Sequence, residues 1–172
     1  MTNTDTKTKP TEAECAANSA RRKSSQTMAL ARIVIGIMFL FFAQYKLMQD
    51  GFAHGGYQKY VNGYIEKTSV NFYKPVLRLT LTHPVFFGYA VGIAELLIGI
   101  SMLLGIWVRL FSVVGALFML NLTLAMWCLP PGSAPWQYLG NQVGNIPLLL
   151  LFIVFFAHNA GTTLGLDKAP KD

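Results

Sequence analysis

Four charged residues lie where charge is costly. Arg32, Lys46, Glu95 and Arg109 each fall inside, or at the edge of, a long apolar run. Ionisable groups in membrane spans face the bundle interior, pair with one another and mark proton or substrate pathways. A carboxylate so placed can hold or pass a proton, and guanidinium or ammonium groups can stabilise a developing anion. Spacing supports an inward orientation. Arg32, Gly36, Phe39, Ala43 and Lys46 follow one another at i, i+4, i+7, i+11 and i+14, along one helical face. Gly88, Gly92, Glu95 and Gly99 share a face of the second run, and Arg109, Ser112, Ala116, Met119 and Thr123 a face of the third. Small residues on such faces let helices approach closely in lipid. At the α-helical rise, Glu95 sits ~13 Å from the nearer end of its run, close to the bilayer midplane, with Arg32 and Arg109 ~6 Å inside the same boundary. These depths predict a buried Arg32–Glu95–Arg109 cluster. Lys46 is expected near the opposite boundary, snorkelling to the interface. A cluster of this kind equally serves to lock three helices together, because a buried charge needs partners whatever its function.

Other reactive residues are scattered. His54, His83 and His158 are far apart, and no His, Cys or carboxylate cluster has metal-ligand spacing, so no metal site is expected. His158 could act as a lone axial ligand to haem or chlorophyll, but an interfacial histidine is the favoured reading. Cys15 lies in the polar N-terminal stretch and Cys128 at the far end of the third run. Spans of this length put them on opposite sides of a membrane, out of reach of a disulfide. With no CxxC motif, a thiol relay within the chain is not expected. Tyr57, Tyr60, Tyr64 and Trp136 read as interface anchors.

The elements that must position these residues are membrane helices. Four apolar runs cover Met28 to Leu47, Pro84 to Leu104, Ile106 to Leu129 and Val143 to Ala160. Each is near the ~20 residues that cross a bilayer core, and lipid forces such spans to be helical. The chain has 172 residues, 53% of them apolar and only 13% charged, which leaves little polar surface for a soluble fold. The net charge of +6 fits topology and lipid contact; without a basic, aromatic-interleaved soluble face, nucleic acid is excluded as a partner. The expected fold is an all-α, four-transmembrane-helix bundle. Residues 1–27 read as a disordered polar tail, 28–168 as the membrane domain and 169–172 as a C-terminal tail. The run from Met28 is too long for a signal-peptide core and lacks a cleavage motif, so it is expected to stay as the first span.

The links differ. Gly105 predicts a tight hairpin between spans two and three. The long link between spans one and two places Tyr57, Tyr60, Val61, Tyr64 and Ile65 at helical spacing, which predicts a short amphipathic helix on the membrane surface. Pro75 is expected to end or kink the next stretch of chain, with a second short helix over Val76 to Leu81. Asn141 and Asn145 are expected to cap the fourth span, with Pro147 in its first turn. Arg21, Arg22, Lys23, Arg32, Arg109, Lys168 and Lys171 fall on one side, and Lys46, Lys59, Lys67, Lys74 and Arg78 on the other. The modest excess predicts both termini in the cytoplasm.

The segments "ARIVIGIMFLFFAQYKL", "GIAELLIGISMLLGIWVRL" and "NAGTTLGLDK" resemble the DoxX/DoxD family over nearly all of residues 28 to 168. The family pattern falls here on Arg32, Gly36, Lys46, Glu95, Gly99, Gly105, Arg109, Gly165, Leu166 and Asp167. Gln44 departs from it, standing where a small residue usually precedes the span-one lysine. The Gly-Leu-Asp ending and the Trp136 loop look more like the DoxD branch, the large subunit of thiosulfate:quinone oxidoreductase. The resemblance implies a four-helix prokaryotic inner-membrane protein, linked to quinone as possible cofactor. In that reading Glu95 moves protons, while Arg32, Arg109 and Lys46 complete the catalytic group. The alternative is a non-catalytic accessory subunit of a larger respiratory or photosynthetic complex. Membrane lipids and other subunits are the partners expected in either case. A transporter is disfavoured, since neither an internal repeat nor a broken-helix pair is evident.

Overall fold

The computed structural model describes residues 11–49, 51–128, 132–158 and 160–167, and these contain helices and turns without a strand. The helices are α1 Glu12–Met48, α2 Tyr57–Lys67, α3 Lys74–Thr80, α4 Pro84–Leu104, α5 Val108–Ala125, α6 Pro135–Asn141 and α7 Ile146–Ala157. A kinked turn, Phe52–Gly56, joins α1 to α2.

Among the described residues, three helices are long and apolar enough to cross a membrane: Ala17–Met48 within α1, α4 and α5. The fourth apolar run forms a helix of only 12 residues, α7. That is ~18 Å of helix against a ~30 Å core, so the expectation of four full-length spanning helices fails on length. Turns at 142–145 and at 158 and 160–161 take up the residues on either side. The N-terminal expectation also changes. Helix α1 begins at Glu12, inside the stretch that composition marks as disordered, and its first turns are largely exposed. Alanine, glutamate, lysine and arginine are strong helix formers, and they extend the span outward. Residues 1–10, together with Lys168 and Lys171, lie outside the described residues.

Helices α1 and α4 pack antiparallel through their glycines. A Cβ on Gly36 would lie 2.7 Å from the backbone nitrogen of Leu103, and one on Gly99 3.0 Å from that of Leu40. A Cβ on Gly92 would meet the Leu47 side chain at 2.7 Å, and one on Gly88 the Cα of Ala53 at 2.9 Å. The small-residue face read from the sequence is therefore the α1–α4 seam. It sets the register: residue 36 faces about 101, 40 faces 99, and 46 faces 92. The α4–α5 hairpin is as tight as expected, with Gly105 closing α4 at φ 69° and donating its N–H to the Ser101 carbonyl.

Helix α7 packs on α5, where Gly115 leaves room for the Phe152 ring. The core between them joins Phe39, Ile98, Met102, Met119, Phe152 and Phe155. At one end, Gln142 and Asn145 reach Met126 just beyond α5; at the other, Phe156 lies against Arg109 and Gly161 against Val108. Pro147 sits in the first turn of α7 as expected. Asn145 occupies the N-cap position without a side-chain cap bond. Asn141 donates instead to the carbonyls of Met126 and Cys128, and Gln142 to that of Met126. These amides satisfy the end of α5, where carbonyls lack helical partners, rather than the start of α7.

The long link is helical, but its apolar face turns inward. Tyr57 and Val61 are buried with Phe52, Leu77 and Ala125 in a second small core. Pro75 begins α3 rather than ending a helix, as its missing N–H allows in a first turn. Buried Thr68 donates to the Leu124 carbonyl and so pins the link to α5.

Candidate functional site

Glu95 does not meet the arginines. Its Oε1 accepts from Lys46 Nζ at 2.5 Å, with the carboxylate side chain 3% and the lysine side chain 20% exposed. The helix register explains this. Opposite Lys46 stands Gly92, one turn from Glu95, whereas Arg32 falls opposite the Gly105 turn. Ten residues of α4 separate Glu95 from that turn, ~15 Å. The predicted Arg32–Glu95–Arg109 cluster is thus replaced by a Lys46–Glu95 pair, and the residue expected merely to snorkel is the true partner. Snorkelling is prevented because Lys46 Nζ lies 5.3 Å from the Phe52 ring centre and 5.8 Å from that of Phe118, a cation–π arrangement.

The arginines go elsewhere. Arg32 is fully buried and donates from Nη2 to the Leu164 carbonyl at 2.9 Å. Arg109 is exposed and lies over the Phe156 ring at 5.0 Å. The C-terminal Gly-Leu-Asp motif closes this end. Asp167 accepts from the backbone N–H groups of Trp107 at 2.8 Å and Val108 at 2.9 Å, capping α5 from 59 residues away. The N–H of Asp167 returns to the Gly105 carbonyl at 2.8 Å. A carboxylate at a helix N-terminus satisfies otherwise unpaired donors and complements the helix dipole. Arg32 and Asp167 thus hold the C-terminal segment on the α4–α5 turn.

Lys46 lines a cavity of about 340 Å³ framed by α1, α2, α3, α4 and α5. Its walls are mostly aromatic and aliphatic: Phe42, Tyr45, Phe52, Tyr57, Tyr64 and Phe118 are among them. Polar groups are few, as in small-molecule sites generally. Tyr73 donates to the Asn121 side chain at the wall. Burial pushes the phenols of Tyr57, Tyr64 and Tyr73 above the ordinary tyrosine range, so they remain protonated donors at neutral pH. Glu95 Oε2, beyond the lysine, has no hydrogen-bond partner among the described residues.

Sequence reasoning assigned Tyr57, Tyr60 and Tyr64 to the membrane interface, whereas all three line this cavity. It passed over Phe52, Phe118 and Asn121. Asn121 was the available signal: an amide in an otherwise apolar span, three residues past Phe118 on the same face. Trp136 is 71% exposed and lies apart. Cys15 and Cys128 are both free thiols. Among the described residues, no group of three His, Cys, Asp or Glu side chains could hold a metal.

Three long apolar helices with a paired charge between them define a multi-helix membrane protein. Residues 27–127 match the DoxX family, more than half the chain, and the chain belongs to that family. A search of curated proteins and a search of solved structures each find no match.

Proposed function

We propose that this chain is the quinone-binding membrane subunit of an oxidoreductase, with the quinone ring in the aromatic cavity above Lys46 and Glu95. One observation carries the reading: an apolar cavity of head-group size lined by Lys46, which is ion-paired to the buried Glu95. A quinone is lipid-soluble and flat, and it needs two things on reduction, a cation near the developing oxyanion and a proton source. The Lys46 ammonium supplies the first, and Glu95, one hydrogen bond behind it, relays the second. The aromatic walls stack against the ring, and phenols that stay protonated can donate to its oxygens. Arg32 and Arg109, at the other end of the bundle, take no part in this chemistry. A partner protein that delivers electrons belongs to the same proposal, and thiosulfate is its candidate source. Topology completes it: the chain sits in a prokaryotic inner membrane, and α7 with its flanking turns makes a fourth crossing beside α5, because its two ends meet the two ends of α5. The Arg32 end then faces the cytoplasm.

The test is binding of a short-chain benzoquinone to the purified protein in nanodiscs, read by quenching of tyrosine and tryptophan fluorescence. Saturable binding that weakens tenfold or more in Glu95→Gln and in Lys46→Met is expected. Binding indifferent to both substitutions, or no binding, overturns the proposal.

A further inference from the structure

A second cavity opens beside the aromatic one. It measures about 840 Å³ and lies between α2 and the link from α5 to α6. Lys59 and Lys67 line it from α2, and Met126, Cys128 and Asn141 line it from the other side. Tyr45, Tyr60, Tyr64 and Ala125 line both cavities, so the two adjoin. Gly63 on α2 lines the open space, and a Cβ there would meet nothing within 4 Å.

The charge of this groove is one-sided. Lys59 and Lys67 stand two helical turns apart, ~12 Å, and no carboxylate lines the groove among the described residues. The acid of α2, Glu66, lines an adjoining shallow depression with Gln58 and Asn62, and Lys59 lines both that depression and the groove. Both lysines are exposed, and neither forms a salt bridge among the described residues. Two ammonium groups without a salt bridge and a floor of tyrosines fit one chemistry: a molecule with an anionic head and an apolar body.

We propose that this groove binds a phosphate-bearing amphiphile, an anionic phospholipid, with its phosphate between Lys59 and Lys67 and its apolar part against Tyr45, Tyr60 and Tyr64. The lysines contribute as surface-proximal cations do toward anionic lipid, and the tyrosine rings contribute apolar contact with a polar tip. A free anion would gain from the lysines but leave the aromatic floor unused. The phosphate position is distinct from the quinone position at Lys46, although Tyr45, Tyr60 and Tyr64 line both cavities, and no quinone enters its test.

Cys128 reports occupancy, because it is a free, partly exposed thiol in the groove, and Cys15 on α1 is an internal reference at the other end of the molecule. The protein is placed in phosphatidylcholine nanodiscs with or without phosphatidylglycerol, and both thiols are labelled with a neutral maleimide. Phosphatidylglycerol is expected to slow Cys128 several-fold relative to Cys15. The slowing is expected to vanish in Lys59→Ala/Lys67→Ala and to persist in Lys59→Arg/Lys67→Arg. Lys59→Gln alone, at an exposed position, tests the same point should the double alanine variant fold poorly. Inorganic phosphate in phosphatidylcholine discs is expected to leave the ratio unchanged. An unchanged ratio with phosphatidylglycerol overturns the proposal. So does slowing that survives loss of the lysines, or slowing by inorganic phosphate alone to the same degree.

Discussion

At the Arg32 end, three segments far apart in sequence meet without space between them; at the Lys46 end, five helices stand back around a cavity. Both ends hold a buried or half-buried cation and a carboxylate. At the first, Arg32 and Asp167 each bond to backbone, and Gly105 and Gly165 let the strands of chain touch. At the second, Lys46 and Glu95 bond to each other, and large aromatic side chains prop the elements apart. The contrast separates two uses of buried charge. Charge bonded to backbone closes a structure, whereas charge bonded only to charge, beside open space, remains available to a ligand.

The largest expected effect comes at the closed end. A Cβ at Gly105 would collide with Arg32 Nη1 and lie 2.5 Å from the Gly165 Cα, at a φ of 69° that side chains rarely adopt. Gly105→Val is expected to lose about 4 kcal/mol, from backbone strain plus overpacking. Unfolding in mixed detergent micelles measures this, and near-neutral behaviour would mean that the end is not closed. Glu95→Gln at the open end is expected to cost less, about 2 kcal/mol, because Lys46 keeps some access to its surroundings and is not left fully stranded. Lys46→Met combined with Glu95→Leu sharpens the comparison. It is expected to recover most of that stability while quinone binding stays lost, and recovery of both would make the pair structural only. Asp167→Asn is expected to cost about 1 kcal/mol through the weakened cap and to leave quinone binding at the wild-type level. A matching loss of binding would join the two ends functionally. Tyr73→Phe removes the hydroxyl held by Asn121 and is expected to cost at most about 1 kcal/mol, seen as a small shift in the same unfolding curve.

The smallest effect is on pH dependence. Burial raises the phenols of Tyr57, Tyr64 and Tyr73 in the folded state above their unfolded values. Between those values the folded state holds more protons, so stability falls as pH rises. The contribution is complete below the ordinary tyrosine value of about 10 and fades above it. Melting followed from neutral to alkaline pH should therefore steepen in its decline past that value. Replacing all three tyrosines by phenylalanine should flatten it.

Much of the scaffold was legible because lipid leaves a chain few options. Apolar length marked four spans, three of which are helices long enough to cross, helical spacing marked most of their inward faces, and Gly105 marked the hairpin. Most of those faces are buried: Arg32, Gly36, Phe39 and Ala43, then Gly88, Gly92, Glu95 and Gly99, then Ser112, Met119 and Thr123, whereas Arg109 is exposed. The family was legible too, and its match covers residues 27–127, short of the Gly-Leu-Asp ending. The fourth helix was misjudged in length because hydropathy does not show where turns begin, and turns at Gly144, Asn145 and His158 stop the helix on either side.

The pairing of charges was not legible. Depth placed Glu95 near the midplane, but depth alone cannot distinguish Lys46 from Arg32 as its partner. That choice depends on the antiparallel offset between α1 and α4, which the contacts of Gly36, Gly92 and Gly99 set through local fit. The cavity was invisible for a related reason: its walls come from five helices, and its tyrosines taken one by one look like interface anchors. What the sequence determined by itself is a family of apolar helices with small, charged inward faces, since burial in lipid acts on each helix separately. Which charge meets which, and where space remains, was decided only by the tertiary structure, because both depend on how one helix is shifted against another.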